Sequence, residues 1–551
     1  MISKDFKQHY ANFKWHIPEF YNIGMDVCDR WAELSPEKIA IIDVGFDHSF
    51  KEYRYKDIQQ LSNQLSNALK RRGIASTDQY PDRVAILLPQ CVETAVSHIA
   101  VFKLGCISIP LFTLFGQDAL LHRLKDSGAK ALITNSVGLE KIRQIRQELP
   151  ELSCLITIDA AIDEAENLED VCRHELPTFT AKKTRSDDPA LLIYTSGTTG
   201  NPKGALHAHR VLLGHLPGVE LSHNFLPIEG DRFWTPADWA WIGGLLDVLL
   251  PSLHHGIPVV AHRAIKFNAA QAVQLMQKFG VRNAFLPPTA LKLMQSLPDE
   301  VFEGLSIRSI GSGGESLSAG LIEWGRRVFG TTINEFYGQT ECNMIVSSCA
   351  AIEPATPGCM GRAVPGHDVR IIDPLSGLSM DDDLEGSIAV KAPNPVMFIE
   401  YWNNSEATRN KFVESPSGQW LLTGDRGVRQ ADGKIRFIGR DDDVITSSGY
   451  RIGPAEIENC LISHESVQLA GAVSKPDDLR GAIVVAYVKL QDGFLPSDEL
   501  GRELADWVKH RLAAHEYPRE IYFITDMPIT TTGKLIRATL RNWAVKDANA
   551  Q

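Results

Sequence analysis

A loop rich in serine, threonine and glycine follows a short apolar run in the first half of the chain, where residues 190–210 read ALLIYTSGTTGNPKGALHAHR. Accessible backbone N–H groups, hydroxyl donors and a mobile lysine are groups that hold phosphate oxygens. It is not a Walker A loop, because Pro202 precedes Lys203 and Gly204 follows it. We therefore expect the segment to bind a phosphate-containing ligand by another arrangement.

Three charged residues further along the chain could act on the same ligand. Glu341 follows the apolar run TTINEF and suits Mg²⁺, which takes one or two protein carboxylates and completes its shell with water and phosphate oxygens. Asp425, in TGDRG, is an acid that can pair with hydroxyl groups, and Lys534 lies in the Thr- and Gly-rich segment TTTGKLIR. Taken alone, each also has an ordinary interpretation as a solvated acid, a turn aspartate or an exposed lysine.

The elements that must position these residues alternate between strand and helix patterns. Short β-branched runs and helical spacings follow each other over residues 35–200 and again over 256–315, which predicts two α/β subdomains with parallel strands. From about 357 to 440 short runs separated by Gly, Pro and Asp predict a small antiparallel β unit. After Arg440 the pattern is mixed, which predicts an α+β domain.

Composition and charge limit the classes of function. The 551 residues carry a formal charge of 56 − 68 = −12 without a block of like charges, so we expect no nucleic-acid partner. The nine scattered cysteines predict neither a disulfide framework nor a zinc site. Because neither a signal peptide nor an integral membrane segment is recognisable, we expect a cytoplasmic protein. The oligomeric state is not indicated.

Five ordered motifs downstream of the loop resemble those of the adenylate-forming (AMP-binding) superfamily. They are GSGGES (311–316), EFYGQTECN (335–343), LLTGDRG (421–427), FIGRDDDVITSSGYRIGPAEIE (437–458) and PITTTGKLIRATLR (528–541). Within this superfamily the sequence is most similar to the medium-chain acyl-CoA synthetases. The resemblance covers most of the chain. It implies a large N-terminal AMP-binding domain (1–439) and a mobile C-terminal domain (440–551) with a hinge near Asp442.

The resemblance also implies residues for ATP and Mg²⁺. Lys534, Thr195 and Glu341 would be catalytic, and Glu341 would be the metal ligand. The implied nucleotide-binding set is Thr195, Ser196, Gly197, Thr198, Thr199, Gly200, Lys203, Gly313, Gly314, Glu315, Glu335, Phe336, Tyr337, Gly338, Gln339, Thr340, Asp425, Arg440 and Lys534.

Two further sets are implied for the other substrates. Coenzyme A would contact Ser448, Gly449, Tyr450, Arg480 and Lys509. The acyl pocket would be lined by Trp234, Ile242, Gly243, Gly313, Gly338 and Arg451. We interpret Gly243, Gly313 and Gly338 as three missing side chains that leave room for the tail of the acid.

The resemblance implies an AMP-forming acyl-CoA synthetase that acts on short- to medium-chain acids, including branched or aromatic ones. The alternative is an adenylating enzyme that passes the acyl group to a carrier-protein thiol. We expect CoA, since no carrier domain follows residue 551. A P-loop ATPase lacks its Walker A motif here, and an inactive nucleotide-binding scaffold would have lost one of the charged motif residues, which are all present.

Overall fold

The structure is a computed structural model, and it describes residues 6–77, 81–159, 164–195, 202–264, 267–441, 443, 445–447, 450–477, 481–512, 517–529 and 535–549. The chain forms two units, which are described separately. Unit 1 consists of residues 1–356, 361–368 and 391–412, and unit 2 consists of 357–360, 369–390 and 413–551.

The strands, in chain order, are β1 (Ile39–Val44), β2 (Phe50–Arg54), β3 (Arg83–Leu87), β4 (Ile107–Pro110), β5 (Ala131–Thr134), β6 (Cys154–Thr157), β7 (Glu166–Asn167), β8 (Pro189–Thr195), β9 (Lys203–Ala208), β10 (Phe233–Trp234), β11 (Val259–His262), β12 (Asn283–Phe285), β13 (Ser309–Gly313), β14 (Ile333–Gln339), β15 (Asn343–Ser347), β16 (Arg362–Ala363), β17 (Val369–Ile372), β18 (Glu385–Lys391), β19 (Glu400–Tyr401), β20 (Phe412–Ser415), β21 (Gly418–Arg429), β22 (Ile435–Arg440), β23 (Ile445–Ser447), β24 (Tyr450–Ile452), β25 (Val467–Asp477), β26 (Gly481–Leu490) and β27 (Glu520–Phe523).

The α-helices are α1 (Phe6–Asn12), α2 (Arg30–Leu34), α3 (Tyr55–Arg71), α4 (Val92–Leu104), α5 (Gln117–Ser127), α6 (Ser136–Ile145), α7 (Leu168–Arg173), α8 (Val211–Ser222), α9 (Ile242–Gly244), α10 (Leu250–His255), α11 (Ala269–Lys278), α12 (Pro288–Gln295), α13 (Ala319–Phe329), α14 (Ser405–Arg409), α15 (Pro454–Ile462), α16 (Asp498–Arg511) and α17 (Arg537–Asn549). Two π-helical turns, Met25–Asp29 and Leu245–Leu249, and two 3₁₀ turns, Arg146–Glu148 and Asp299–Phe302, complete the regular elements of the described ranges.

Unit 1 contains two large sheets. The first has the order β16–β15–β14–β13–β12–β10–β11–β1–β2, and its central pairs from β14 to β1 are parallel. The second has the order β19–β9–β8–β4–β3–β5–β6–β7 and is parallel from β8 to β7. Antiparallel strands β9 and β19 close one edge of the second sheet.

The alternation of side chains along the strands builds the layers of unit 1. In β3, Val84 and Ile86 join one apolar cluster, whereas Ala85 and Leu87 join another, because successive side chains point to opposite faces. The first cluster also contains Ile41 of β1 and most of α4, so it is the core shared by the two sheets. Helices α11–α13 and helices α5 and α6 cover the outer faces of the first and second sheet respectively.

The described residues of unit 2 form three smaller sheets. Strands β17, β18, β21 and β20 lie in that order, and β22 pairs antiparallel with β21. Strands β23 and β24 form a hairpin, and β25, β26 and β27 form the third sheet, against which α15 and α16 pack. This arrangement corresponds to the predicted β unit followed by an α+β domain.

The predicted fold class is confirmed, with one correction inside unit 1. The strand pattern of residues 35–54 was assigned to the first α/β subdomain, but β1 and β2 extend the sheet that contains β11. The predicted domain boundary at residue 440 lies within unit 2, where β22 pairs with β21, and it stays a prediction. No helix in the described ranges is long and apolar enough to cross a membrane.

Candidate active site

The predicted phosphate loop begins and ends at two paired residues. Thr195, the last residue of β8, lies opposite Lys203, the first residue of β9, and Thr195 Oγ1 donates to the Lys203 carbonyl oxygen at 3.4 Å. His122 Nε2 lies 2.9 Å from the Pro202 carbonyl oxygen, which ties the end of the loop to α5. The described residues exclude the predicted phosphate ligands Ser196, Gly197, Thr198, Thr199 and Gly200.

A tyrosine joins the lysine at the end of this loop to the predicted metal ligand. Tyr401 in β19 lies opposite Ala205 in β9. Its hydroxyl donates a hydrogen bond to Oε1 of Glu341, and its ring centroid lies 5.4 Å from Lys203 Nζ. One side chain therefore contacts two residues that the sequence analysis predicted separately. No motif in the sequence marks Tyr401 as a candidate.

Glu341, the predicted metal ligand, is almost completely buried. It is only 6% exposed, and its backbone carbonyl accepts a hydrogen bond from Phe398 N at 2.9 Å. Tyr401 donates to one of its two carboxylate oxygens, Oε1. Within the described ranges no group of three or more His, Cys, Asp or Glu side chains could hold a metal. A single carboxylate fits Mg²⁺ that takes its other ligands from phosphate and water.

Glu335, predicted to contact the nucleotide, is a buried carboxyl group in β14. It is 4% exposed, and burial raises its pKa to about 8 although the Leu317 backbone donates to it. Its Oε2 atom has no hydrogen-bond partner among the described residues. A protonated carboxyl group has one O–H donor and one carbonyl acceptor. Such a pair can form two hydrogen bonds with the edge of a heterocyclic base.

The neighbouring predicted nucleotide contacts lie along the ends of β13 and β14. Gly313 and Phe336 are directly opposite each other in these parallel strands. After Tyr337 the register with β15 shifts, and Tyr337, Gln339 and Thr340 are half-buried.

Two side-chain hydrogen bonds hold predicted nucleotide contacts in place. Gln339 Oε1 accepts a hydrogen bond from Lys411 Nζ at 3.1 Å, and Thr289 Oγ1 donates one to Glu315 Oε1 at 3.4 Å. Gly314 has a φ of +92°, a left-handed conformation that favours glycine.

Two of the predicted pocket glycines are in close contact with aromatic rings. A Cβ atom at Gly243 would lie 2.8 Å from Phe285 Cε1, and one at Gly313 would lie 2.5 Å from Phe336 Cε2. The interpretation that these glycines leave open space is therefore wrong. Each glycine instead allows a phenylalanine ring to approach the backbone.

The third glycine is required by the backbone itself. A Cβ atom at Gly338 would lie 1.6 Å from the carbonyl oxygen of Asn343, which pairs with Gln339 across the β14–β15 turn. No side chain fits there unless this turn is rebuilt. Replacement of Gly338 by tryptophan would therefore disturb the strand pair as well as any pocket beside it.

Trp234 and Ile242, two predicted pocket residues of unit 1, lie on opposite faces of the sheet. Trp234 is 2% exposed and packs in the core on the α11–α13 face of its sheet, whereas Phe285, Phe336 and Ile242 belong to the opposite face. A different tryptophan lies beside Ile242. The ring centroid of Trp241 lies 5.4 Å from that of Phe112, and its buried indole nitrogen has no hydrogen-bond partner among the described residues.

In unit 2 two of the predicted nucleotide contacts, Asp425 and Arg440, lie side by side. Asp425 of β21 pairs with Arg440 of β22, and Arg440 Nη1 lies 3.8 Å from Asp425 Oδ1. Asp425 is 6% exposed, and Gly424 before it has a φ of +79°. The pairing of β21 with β22 therefore brings the Asp425 carboxylate and the Arg440 guanidinium together.

The other predicted residues of unit 2 are described only in part. Lys509 on α16 places its Nζ 5.3 Å from the ring centroid of Tyr517. For Tyr450 and Arg451, in the β23–β24 hairpin, only the backbone is described. The predicted residues that lie outside the described ranges are Asp442, Ser448, Gly449, Arg480 and Lys534.

A partly buried ion-pair network, which no sequence motif marks, connects the predicted hinge region to α17. Arg537 of α17 binds Glu458 of α15 through two contacts, Nε–Oε1 at 3.0 Å and Nη2–Oε2 at 2.6 Å. Arg537 Nη1 also lies 3.5 Å from Asp443 Oδ2, and Arg541 contacts the other oxygen of Asp443. The start of α17 is thereby fixed to the residue that follows Asp442.

Comparison with protein families identifies two matching regions. Residues 28–402 match the AMP-binding enzyme family, and residues 456–534 match the AMP-binding enzyme C-terminal domain. The chain is 31% identical to the acetyl-coenzyme A synthetase of Bacillus subtilis (strain 168), over 98% of this chain and 95% of that protein. It is also 31% identical to a mitochondrial acyl-coenzyme A synthetase of Mus musculus, with the same coverage of both chains.

Solved structures of similar proteins include two ligases for aromatic acids. An anthranilate CoA ligase in complex with anthranoyl-AMP superimposes with a TM-score of 0.87 at 27% identity, over 97% of this chain and 99% of that chain. A benzoate CoA ligase from Burkholderia xenovorans LB400 gives a TM-score of 0.81 at 26% identity, over 95% and 100% of the two chains. The chain belongs to the AMP-binding enzyme family, within which it is an AMP-forming CoA ligase.

Proposed function

We propose that this ligase activates short- to medium-chain carboxylic acids, including branched and aromatic acids of similar size. The carboxylate would attack the α-phosphorus of ATP to give an acyl-adenylate and diphosphate. The thiol of CoA would then attack the acyl carbonyl, form the thioester and release AMP. Relatives named for acetate, benzoate and anthranilate support this range of acids.

In the first half-reaction the residues of unit 1 would bind the triphosphate. Thr195, Lys203 and the loop between them would hold phosphate oxygens, and Glu341 would hold Mg²⁺, which when bound offsets phosphate charge. Glu335 would contact adenine, since its neutral carboxyl group can both donate and accept. We further propose that Asp425 and Arg440 bind the ribose and that Lys534 stabilises the charge that develops on the phosphates.

In the second half-reaction residues of the proposed C-terminal domain, 440–551, would bind CoA. A rotation near Asp442 would withdraw Lys534 and bring Gly449 to the pantetheine, where the absence of a Cβ atom allows close approach. Ser448, Tyr450, Arg480 and Lys509 are the further proposed contacts. The ion pairs of Arg537 and Arg541 with Asp443 support a hinge whose C-terminal side moves as a unit with α17.

The observation that carries the proposal is the pair of contacts made by Tyr401. A lysine at the end of the phosphate loop and a nearly buried glutamate come from different sheets, yet one aromatic side chain contacts both. Because Tyr401 contacts both, the Lys203 ammonium group and the Glu341 carboxylate would suit a ligand that carries both phosphate and Mg²⁺.

The proposed function is tested by measuring the two half-reactions separately. Acids from acetate to octanoate, together with branched acids and benzoate, are assayed by ATP–diphosphate exchange and then by thioester formation. Exchange followed by acyl-CoA formation is expected for acids of short to medium length. A parallel arm offers a carrier protein with its pantetheine thiol in place of CoA, and acyl transfer to the carrier alone would contradict the choice of CoA.

A further inference from the structure

Four residues of unit 1 form a continuous surface that we call the aromatic wall: Gly243, Phe285, Phe336 and Gly313. The ring centroids of Phe285 and Phe336 lie 5.4 Å apart. Gly243 contacts the first ring and Gly313 the second, since a Cβ at either position would lie within 2.8 Å of a ring atom. The aromatic wall therefore includes Gly243 and Gly313, two residues predicted to line the acyl pocket.

A buried aspartate reaches this wall at Gly243. Asp247 is 6% exposed and lies on the π-helical turn Leu245–Leu249, four residues after Gly243. Side chains on a helix lean toward its N-terminus, and Asp247 Oδ2 lies 3.3 Å from the position that a Cβ of Gly243 would occupy. Phe285 Cε1 lies 2.8 Å from the same position, so glycine at 243 lets the ring and the carboxylate oxygen approach each other. Single π-helical turns are frequent at functional sites.

His215 holds the other oxygen of Asp247. Its Nε2 lies 2.7 Å from Asp247 Oδ1, and its Nδ1 accepts a hydrogen bond from Met344 N at 3.4 Å. The proton of a neutral imidazole is therefore on Nε2, which donates to the carboxylate. Within the described chain His215 is the hydrogen-bond donor to Asp247, and burial raises the pKa of that carboxyl group.

A buried carboxylate with one oxygen unsatisfied is costly unless a ligand supplies a donor. We propose that Asp247 forms a polar end of the acyl pocket and that the substrate acid carries a hydroxyl or amino group, which donates a hydrogen bond to Oδ2. This inference rests on the proposed function, because it takes the aromatic wall to line the acyl pocket. The substrate is then a polar short-chain or aromatic acid rather than a plain fatty acid.

Matched pairs of acids test the inference. In each pair a methyl group is replaced by a donor of nearly the same size: pentanoate with 4-hydroxybutanoate, and the methylbenzoates with the aminobenzoates and hydroxybenzoates. We expect kcat/KM for adenylation to favour the donor-bearing acid by at least about tenfold in one or more pairs, because a pocket built for hydrogen bonding strongly rejects the analogue without it. A preference for the methyl member in every pair overturns the inference.

The variant Asp247→Asn tests the residue itself. Its side-chain oxygen can still accept from His215, but its amide now presents a donor at the wall. The ratio within the preferred pair should fall to about threefold or less, while kcat/KM for the methyl acid changes little. Asp231→Asn is the matched control, because Asp231 is also buried, at 4% exposure, and pairs with Arg308 elsewhere in unit 1. In this variant the ratio of kcat/KM for the donor-bearing acid to kcat/KM for the methyl acid should equal that of the unaltered enzyme.

Equilibrium binding separates this inference from the proposed function. Calorimetric titration of the same pairs, with a non-hydrolysable ATP analogue present, needs no turnover. Tight binding of the donor-bearing acid without any acyl-CoA formation would contradict the proposed function and support the role of Asp247. Acyl-CoA formation with equal binding of both members, or an unchanged ratio in Asp247→Asn, would overturn the role of Asp247 alone.

Discussion

Replacing Tyr401 by phenylalanine removes a single hydroxyl group from the contact with Glu341. The ring remains, so its position 5.4 Å from Lys203 Nζ is kept. A hydrogen bond to a charged group contributes about 1.5–3 kcal/mol. Because Glu341 is only 6% exposed, water replaces this bond poorly. Each 1.4 kcal/mol corresponds to about a tenfold change, so we expect the adenylation kcat/KM to fall about 10- to 150-fold.

The assay is ATP–diphosphate exchange over a range of Mg²⁺ concentrations. If Tyr401 positions Glu341 for the metal, Tyr401→Phe should need more Mg²⁺ for half-maximal exchange, while KM for the acid changes little. Binding of Mn²⁺ in the presence of ATP, followed by electron paramagnetic resonance, should weaken in parallel. Tyr401→Leu also removes the ring from Lys203 and should lose about 0.5–2 kcal/mol more.

The control is the next residue, Trp402, whose indole nitrogen donates to the Asp126 carbonyl oxygen at 3.1 Å. Trp402→Phe breaks a hydrogen bond in the same segment without touching Glu341, so its Mg²⁺ dependence should stay that of the unaltered enzyme. Exchange by Tyr401→Phe at the full rate with an unchanged Mg²⁺ requirement would refute the reasoning. An equal loss in both variants would show that the segment matters only for folding.

Three further predictions concern the half-reactions and the stability of unit 1. Lys534→Ala should abolish acyl-adenylate formation but leave thioester formation from supplied acyl-adenylate largely intact; equal losses in both assays would exclude a role confined to adenylation. Gly449→Leu should do the reverse, because a side chain would block the pantetheine, and a loss of diphosphate exchange would instead indicate a structural glycine. Lys103→Met should lower the free energy of unfolding by about 3 kcal/mol, because the fully buried Nζ donates to Asp29 at 2.6 Å; an unchanged urea midpoint would contradict this.

The sequence predicted the local elements of the fold well, because their signals are local. The helical spacing of DIQQLSNQLSNALKRRG and VETAVSHIAVFKLGC corresponds to α3 and α4, and the apolar run AIVVAYVKL corresponds to β26. The strands β1 and β2 were assigned to the wrong sheet for a physical reason. An apolar run reports that a strand is buried, but which strand lies beside it depends on the path of the chain between them.

The candidate site was predicted where short motifs carry it and missed where side chains meet across long separations. Glu341 and Lys203 were found from their motifs, but Tyr401, which contacts both, lies in the plain segment IEYWNN. The pocket glycines were identified, but their surroundings were interpreted incorrectly. A glycine in a sequence does not show whether the space beside it is empty or filled by Phe285 or Phe336.

The sequence by itself indicated the family through its ordered motifs, and the resemblance implied the two-step chemistry and most candidate residues. The tertiary structure decided which of these residues touch. It placed Trp234 on the opposite face of the sheet from Phe285, brought Tyr401 to Glu341 and set Asp247 against His215. Such contacts join residues far apart in the chain, and they form only where burial of the apolar layers fixes the backbone around them.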